Sequence, residues 1–189
     1  WQLKGFDDGI SKEKPVKIFV MGENIFRDED EWPLARAVTT RYYLRSGGRA
    51  NSLNGDGALS TEIPAAEPTD SFVADPDNPV PSRGGQTLGI PTSPPGPYDQ
   101  RDVEARSDVL VYTTVAFDKL TEVTGPVKLE VFVSSSAADT DLVGKLVDVF
   151  PDGRAIDLCE GILRLRYRNS FERAEFMNPG EIYKVTIDL

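Results

Sequence analysis

Two runs of alternating character constrain this chain most. Val127-Lys128-Leu129-Glu130-Val131-Phe132-Val133 alternates apolar with outward-facing residues at period two, as does Ile162-Leu163-Arg164-Leu165-Arg166-Tyr167-Arg168. Between them lies Leu146-Val147-Asp148-Val149-Phe150, followed by Pro151-Asp152-Gly153. Period two predicts strands with one buried face, and Pro-Asp-Gly between two such runs predicts a tight hairpin turn. Further strands are predicted at 16–21, 39–45, 109–114 and 181–189, with almost no amphipathic helix between them. Strands at this spacing predict an all-β fold, an antiparallel two-sheet sandwich or jelly roll.

The second constraint is an absence. The chain contains no histidine, so neither a Ser/His/Asp nor a Cys/His machine can be assembled from it alone. Its 189 residues suffice for one well-buried domain with a short appendage. The net charge of −10 argues against nucleic acid, whose phosphates need a basic face, and against an anionic membrane surface. No run approaches the roughly 20 apolar residues of a membrane span, and no signal peptide opens the chain. A cytoplasmic location is favoured. The first residue is Trp1 rather than methionine, which suggests a piece of something longer. Cys159 is the single cysteine; it reads as a small core residue beside Leu158 and Ile162, since no histidine is present to activate its thiol.

Residues 61–108 form the irregular middle. Nine of the fourteen prolines fall between Pro64 and Pro97, where they deny ladder donors and hold the backbone extended. Phe72, Val73, Leu88, Ile90 and Tyr98 suggest apolar anchors for a long proline-rich strap packed over a sheet. Trp1, Leu3, Phe6 and Ile10 are spaced for a helix end closing at Asp7-Asp8-Gly9. Asp28-Glu29-Asp30-Glu31 reads as a solvated turn before a short helical turn over Leu34–Val38; its contiguous acids do not match an EF-hand loop. Asn54-Gly55-Asp56-Gly57 reads as a turn between short strands. Gly84-Gly85-Gln86-Thr87-Leu88-Gly89 lacks the Lys-Ser/Thr of a phosphate loop.

Three constellations carry the available chemistry. Ser134-Ser135-Ser136-Ala137-Ala138-Asp139-Thr140-Asp141 places two carboxylates two residues apart, enough for an acid/base pair or part of a cation site. The structural reading, with Asp and Ser bonding local amides in a strand connection, is preferred. Arg164, Arg166 and Arg168 are predicted to share one strand face, as an anion or partner site or, preferred, a solvent face balancing excess acid. Asp99-Gln100-Arg101-Asp102-Val103-Glu104-Ala105-Arg106-Ser107-Asp108 reads as an ion-pair network fixing the end of the strap. No residue is assigned as catalytic, cofactor-binding or metal-binding, and no cofactor is expected.

Taken in order, several segments resemble one family. They are Pro15-Val16-Lys17-Ile18-Phe19-Val20-Met21-Gly22-Glu23-Asn24, Glu31-Trp32-Pro33, Tyr42-Tyr43-Leu44 and Gly55-Asp56-Gly57-Ala58-Leu59. They continue with Asp99-Gln100-Arg101, Glu104 and Arg106, Asp108-Val109-Leu110-Val111-Tyr112 and Gly125-Pro126-Val127. Ser135-Ser136-Ala137 with Asp139-Thr140-Asp141, Asp148-Val149 with Pro151-Asp152-Gly153, and Gly161-Ile162 with Arg166-Tyr167-Arg168 complete the set. The ordered set resembles the C-terminal domain of X-Pro dipeptidyl-peptidase and cocaine-esterase type hydrolases (the CocE/NonD family).

The resemblance implies a galactose-binding-like β jelly roll packed on an α/β-hydrolase domain that carries Ser, Asp and His upstream. It implies a parent serine hydrolase of esterase, acylase or X-Pro dipeptidyl-peptidase type, acting on an ester or amide. This chain would support the catalytic domain and help shape the substrate pocket or the oligomer. Residues 1–14 would be a linker or the end of a catalytic-domain helix, and 15–189 the jelly roll. Family members continue past the equivalent of Leu189 with at least one more strand, so this end is expected to be truncated. An open edge there, with apolar Trp1, Leu3 and Phe6, suggests a homodimer. The competing readings are a free-standing carbohydrate-binding module, which wants more exposed aromatics than Trp1 and Trp32, and a calcium-dependent adhesion sandwich, which wants more acidic loops.

Overall fold

The structure, a computed structural model, describes residues 5, 9–89, 91 and 94–189. The proposed helix end around Trp1, Leu3 and Phe6, and the strap anchor Ile90, lie outside the described residues. The chain divides into two compact units: residues 1–39 with 121–126, and residues 40–120 with 127–189. Both are built from antiparallel strand pairs, and the four residues of α1 (Arg101–Glu104) are the one α-helix among the described residues.

In the smaller unit β1 (Val16–Val20) and β2 (Ile25–Glu29) form an antiparallel hairpin, in register from Val16 opposite Glu29 to Val20 opposite Ile25. Gly22 and Asn24 adopt positive φ in the connecting turn, which is how a tight hairpin follows the twist of its strands. Phe19 and Phe26 stand opposite each other, rings edge-on with centroids 5.2 Å apart. The acidic run is not a solvated turn: Asp28 and Glu29 close β2, and Glu29 is buried. The helical turn expected over Leu34–Val38 is a simple turn, in which the Ala37 amide donates to the Leu34 carbonyl at 2.9 Å.

In the larger unit β3 (Tyr43–Arg45) pairs with β4 (Ala58–Ser60), β5 (Lys128–Val133) with β8 (Tyr183–Asp188), and β6 (Asp141–Val149) with β7 (Ala155–Arg164). The β6–β7 turn is the predicted Pro-Asp-Gly hairpin. The Gly153 amide donates to the Phe150 carbonyl and the Phe150 amide to the Arg154 carbonyl, both at 2.8 Å. A bulge between Leu146 and Val147 shifts the register. Alternation works as read in β5 and β8. Leu129, Val131, Val133, Tyr183, Val185 and Ile187 turn inward onto a core of Leu163, Leu165 and Met177, while Lys128, Glu130 and Phe132 face out. β7 and β8 touch at Gly161, where a Cβ would overlap the Asp188 carbonyl oxygen.

Three predicted strands change. The one at 39–45 shortens to Tyr43–Arg45. β7 stops at Arg164 and Leu165–Tyr167 winds into a 3-10 turn, so the three arginines do not share a strand face. Residues 109–114 form only isolated bridges, Leu110 to Asn51 and Thr113 to Ala58. Their partner segment turns at Ser52, which has positive φ, so no continuous ladder can run beside them.

The strap is ordered differently from its predicted anchors. Phe72, Val73, Leu88 and Tyr98 are 44%, 83%, 102% and 38% exposed. Polar side chains hold it instead. Asp70 accepts from the Ala50 amide (2.8 Å), the Ser46 hydroxyl (2.6 Å) and the Tyr112 hydroxyl (2.7 Å). Glu67 accepts from Arg45 and the Ser46 amide. A proline-rich segment lacks the amides for a ladder, so its own carboxylates attach it by accepting from donors on its neighbours.

Candidate functional site

The sequence-selected residues resolve into paired structural contacts. Asp141 and Arg164 face each other in register across β6 and β7, joined by two hydrogen bonds of 2.8 Å. Asp139 accepts the Arg166 amide at 2.9 Å, and its other oxygen lies 3.4 Å from the Arg166 side chain. The two carboxylates are thus engaged across the hairpin by different arginines. The Arg164 guanidinium holds the Asp141 carboxyl below its ordinary value. Arg168 donates to the Leu165 and Glu175 carbonyls and lies 4.4 Å over the Tyr183 ring. Among the described residues no group of three or more acidic, His or Cys side chains is placed to hold a metal ion. Cys159 is half-buried opposite Leu146, and burial, with Asp157 beside it, pushes its thiol pKa up. A raised pKa disfavours the thiolate that nucleophilic chemistry needs.

In the smaller unit Glu29 accepts from Arg36 at 2.7 Å and from Arg27 at 2.7 Å, and Arg27 forks onto Glu122. Hydrogen bonds from Arg36, then Arg27, bring the Glu29 carboxyl down to about 2. A depressed carboxylate stabilises the fold above its ordinary value of 4.5 and loses that contribution as pH falls toward 2. Hairpin amide protection is therefore expected to be level above about pH 5 and to fall between 4.5 and 2. In Arg36→Ala the fall should begin at higher pH. An unchanged acid profile in that variant, read by hydrogen exchange, would contradict this assignment.

The charged block at 99–108 is the ion-pair network the sequence suggests. Arg101 pairs with Asp99, Arg83 of the strap with Asp102, and Arg106 with Asp108 while also donating to the Asn78 carbonyl. The structure adds a layer beneath it. Gln100 is 1% exposed; its amide group donates to the Arg83 and Tyr98 carbonyls and its oxygen accepts from Lys145 at 3.3 Å. Lys145 pairs with Glu160, its register partner, at 2.7 Å, and Glu160 accepts the strap's Gln86 amide at 3.1 Å. Residues 98–100 run beside the start of β7, with Gln100 donating to the Ala155 carbonyl and Asp157 to the Tyr98 carbonyl. Gly85 lies so close that a Cβ would overlap the Glu160 carboxylate. Sequence reasoning missed this cluster. Its one accessible signal was the β6–β7 register, which the bulge hides.

This arrangement holds a strap on a sheet and, among the described residues, supplies no nucleophile with an adjacent base. Residues 8–189 match the family described as the X-Pro dipeptidyl-peptidase C-terminal non-catalytic domain. The chain belongs to that family. As an X-Pro dipeptidyl-peptidase-type C-terminal domain it is 48% identical over 187 residues to a cocaine esterase of Rhodococcus sp. (strain MB1 Bresler), covering 99% of this chain and 32% of that protein. An aminopeptidase from a marine sediment Thaumarchaeota archaeon superposes with TM-score 0.74 at 30% identity, over 93% of this chain and 30% of that one. An alpha-amino acid ester hydrolase superposes with TM-score 0.75 at 26% identity, over 92% and 30%. The C-terminal domain thus spans about a third of the length of each relative. No helix among its described residues is long and apolar enough to cross a membrane.

Proposed function

We propose that this C-terminal domain belongs to a serine hydrolase acting on an ester or amide bond, and that it buttresses an α/β-hydrolase catalytic domain carried by the rest of the parent chain. The observation that carries the reading is the 48% identity to a cocaine esterase over nearly the whole chain, which favours ester hydrolysis. Peptide hydrolysis at X-Pro is the alternative within the same family. In this reading residues 15–189 form a jelly roll of galactose-binding type, and residues 1–14 link it to the catalytic domain.

The surface supports a supporting role. Phe19, Ile25 and Phe26 are 49%, 47% and 73% exposed on one hairpin of the smaller unit. In the larger unit Val143 and Ile162, opposite each other on β6 and β7, are 52% and 67% exposed. Apolar surface of this kind favours burial against a partner domain, a pocket wall or a second subunit. Removing this domain from the parent hydrolase is expected to lower its inactivation temperature and its yield of soluble enzyme. A truncated parent with unchanged inactivation temperature and turnover would overturn the supporting role.

A further inference from the structure

Asp157 lies under the strap, 3% exposed, and its Oδ1 has no hydrogen-bond partner among the described residues. Its own amide donates to the Tyr98 carbonyl, so it sits where the strap end pairs with β7. The charged groups around it come from two strands. Among the described residues Lys145 of β6 is the cation that acts on it, and Glu160 of β7 the carboxylate. The Cys159 thiol adjoins it. Lys145 is already committed to Glu160 at 2.7 Å and to Gln100. Asp157 therefore has no ion-pair partner of its own among the described residues. A carboxylate buried in this way, with an unpartnered oxygen and the one nearby ammonium engaged elsewhere, does not ionise cheaply.

We propose that Lys145, Asp157 and Glu160 form a proton-linked latch: residues 83–86 and 96–100 of the strap close onto β6 and β7 with one proton held on the carboxylate pair, and opening releases that proton. Glu160 stays ionised through its pairing with Lys145 at 2.7 Å, so the proton resides on Asp157. Burial, opposed by Lys145 and reinforced by Glu160, raises the Asp157 carboxyl above its ordinary value. For Glu160 burial works in the same direction, but the Lys145 hydrogen bond and charge and the Gln86 amide together outweigh it, and the net shift is downward. When the strap lifts, both carboxylates are hydrated and return toward ordinary values.

The linkage sets the sign. The closed state holds a proton the open state gives up, so closure weakens as pH rises from the ordinary carboxylate value of 3.8 until the closed cluster itself deprotonates. At lower pH the opposite applies. Glu160 accepts the Gln86 amide and Asp99 accepts the Ala155 amide at 3.1 Å. Both carboxyls are held below their ordinary values, so their protonation loosens the same contacts. Closure is therefore strongest at mildly acidic pH.

The test is amide exchange of the 189-residue chain followed by NMR from about pH 4.5 to 8, corrected for the intrinsic rate. Protection at Gln86, Gln100 and Asp157 is expected to fall with rising pH, by no more than about tenfold per unit, the limit for one linked proton, and to level off once the closed cluster has deprotonated. Protection at Val131 and Val185 should not follow it. In Asp157→Asn the strap amides should be level with pH and better protected at pH 8 than in the wild type. Glu160→Gln keeps an acceptor for Gln86, removes the surplus carboxylate, and should flatten the slope. It carries the test if Asp157→Asn fails to fold. Level protection in the wild type, or an unchanged slope in whichever variants fold, would overturn the latch.

Discussion

Gly161→Ala is expected to destabilise the larger unit by about 3 kcal/mol or more, at the top of the range for overpacked interiors. The added Cβ would overlap the Asp188 carbonyl oxygen and press on Asp188 C and Ile187 Cγ2 at 2.9 Å. The obstacle is mainly β8 backbone, fixed by its ladder with β5, so it cannot rotate away. Gly144→Ala is the matched control. Its Cβ would meet only Leu129 Cδ2 at 2.8 Å and Leu189 Cδ2 at 2.9 Å, the far ends of flexible side chains. There a loss of about 1 kcal/mol is expected. Urea titrations of the two variants check the contrast; equal midpoints, or a wild-type midpoint for Gly161→Ala, would show that β7 and β8 do not meet as described.

Asp70→Ala is expected to cost about 2–4 kcal/mol, because it strands three donors whose unmet bonds cost about 1–3 kcal/mol each when fully buried. Ala50, whose amide is one of them, is 0% exposed. Burial opposes ionisation of Asp70, but the Ala50 amide and the two hydroxyls outweigh it and hold the carboxyl below its ordinary value. The Tyr112 hydroxyl, half-buried against that carboxylate, is pushed well up in turn. Phe72→Ala and Val73→Ala, next along the strap but exposed, should each cost less than about 0.5 kcal/mol. Equilibrium unfolding of the three variants separates polar from apolar attachment. A larger loss for Phe72→Ala than for Asp70→Ala would reverse this account of the strap.

That reversal of anchors shows where the sequence was legible. Alternation marks strands because buried and exposed residues must alternate on a pleated surface, and β5 and β8 were found that way, whereas the alternating run 162–168 overlaps only the last three residues of β7 and continues into a 3-10 turn. Pro151-Asp152-Gly153 announced its hairpin because a turn has local chemistry. The bulge between Leu146 and Val147 has no such signature, yet one inserted residue decides which side chains face each other. Counted outward from the turn without it, Asp141 falls opposite Leu163 and Lys145 opposite Cys159. With it, Asp141 meets Arg164 and Lys145 meets Glu160. The latch was invisible for that reason. β2 was missed because Asp28 and Glu29 look like turn residues, and only Arg27 and Arg36 around Glu29 make its burial tolerable. The absence of histidine was legible at once, and it bears on function more directly than any strand.

The non-catalytic character of the chain is tested most directly by turnover of a p-nitrophenyl ester and of an X-Pro anilide by the purified 189-residue chain. The expected result is a rate indistinguishable from that of a heat-killed sample at every enzyme concentration tried. A rate that scales with chain concentration and saturates with substrate would contradict it.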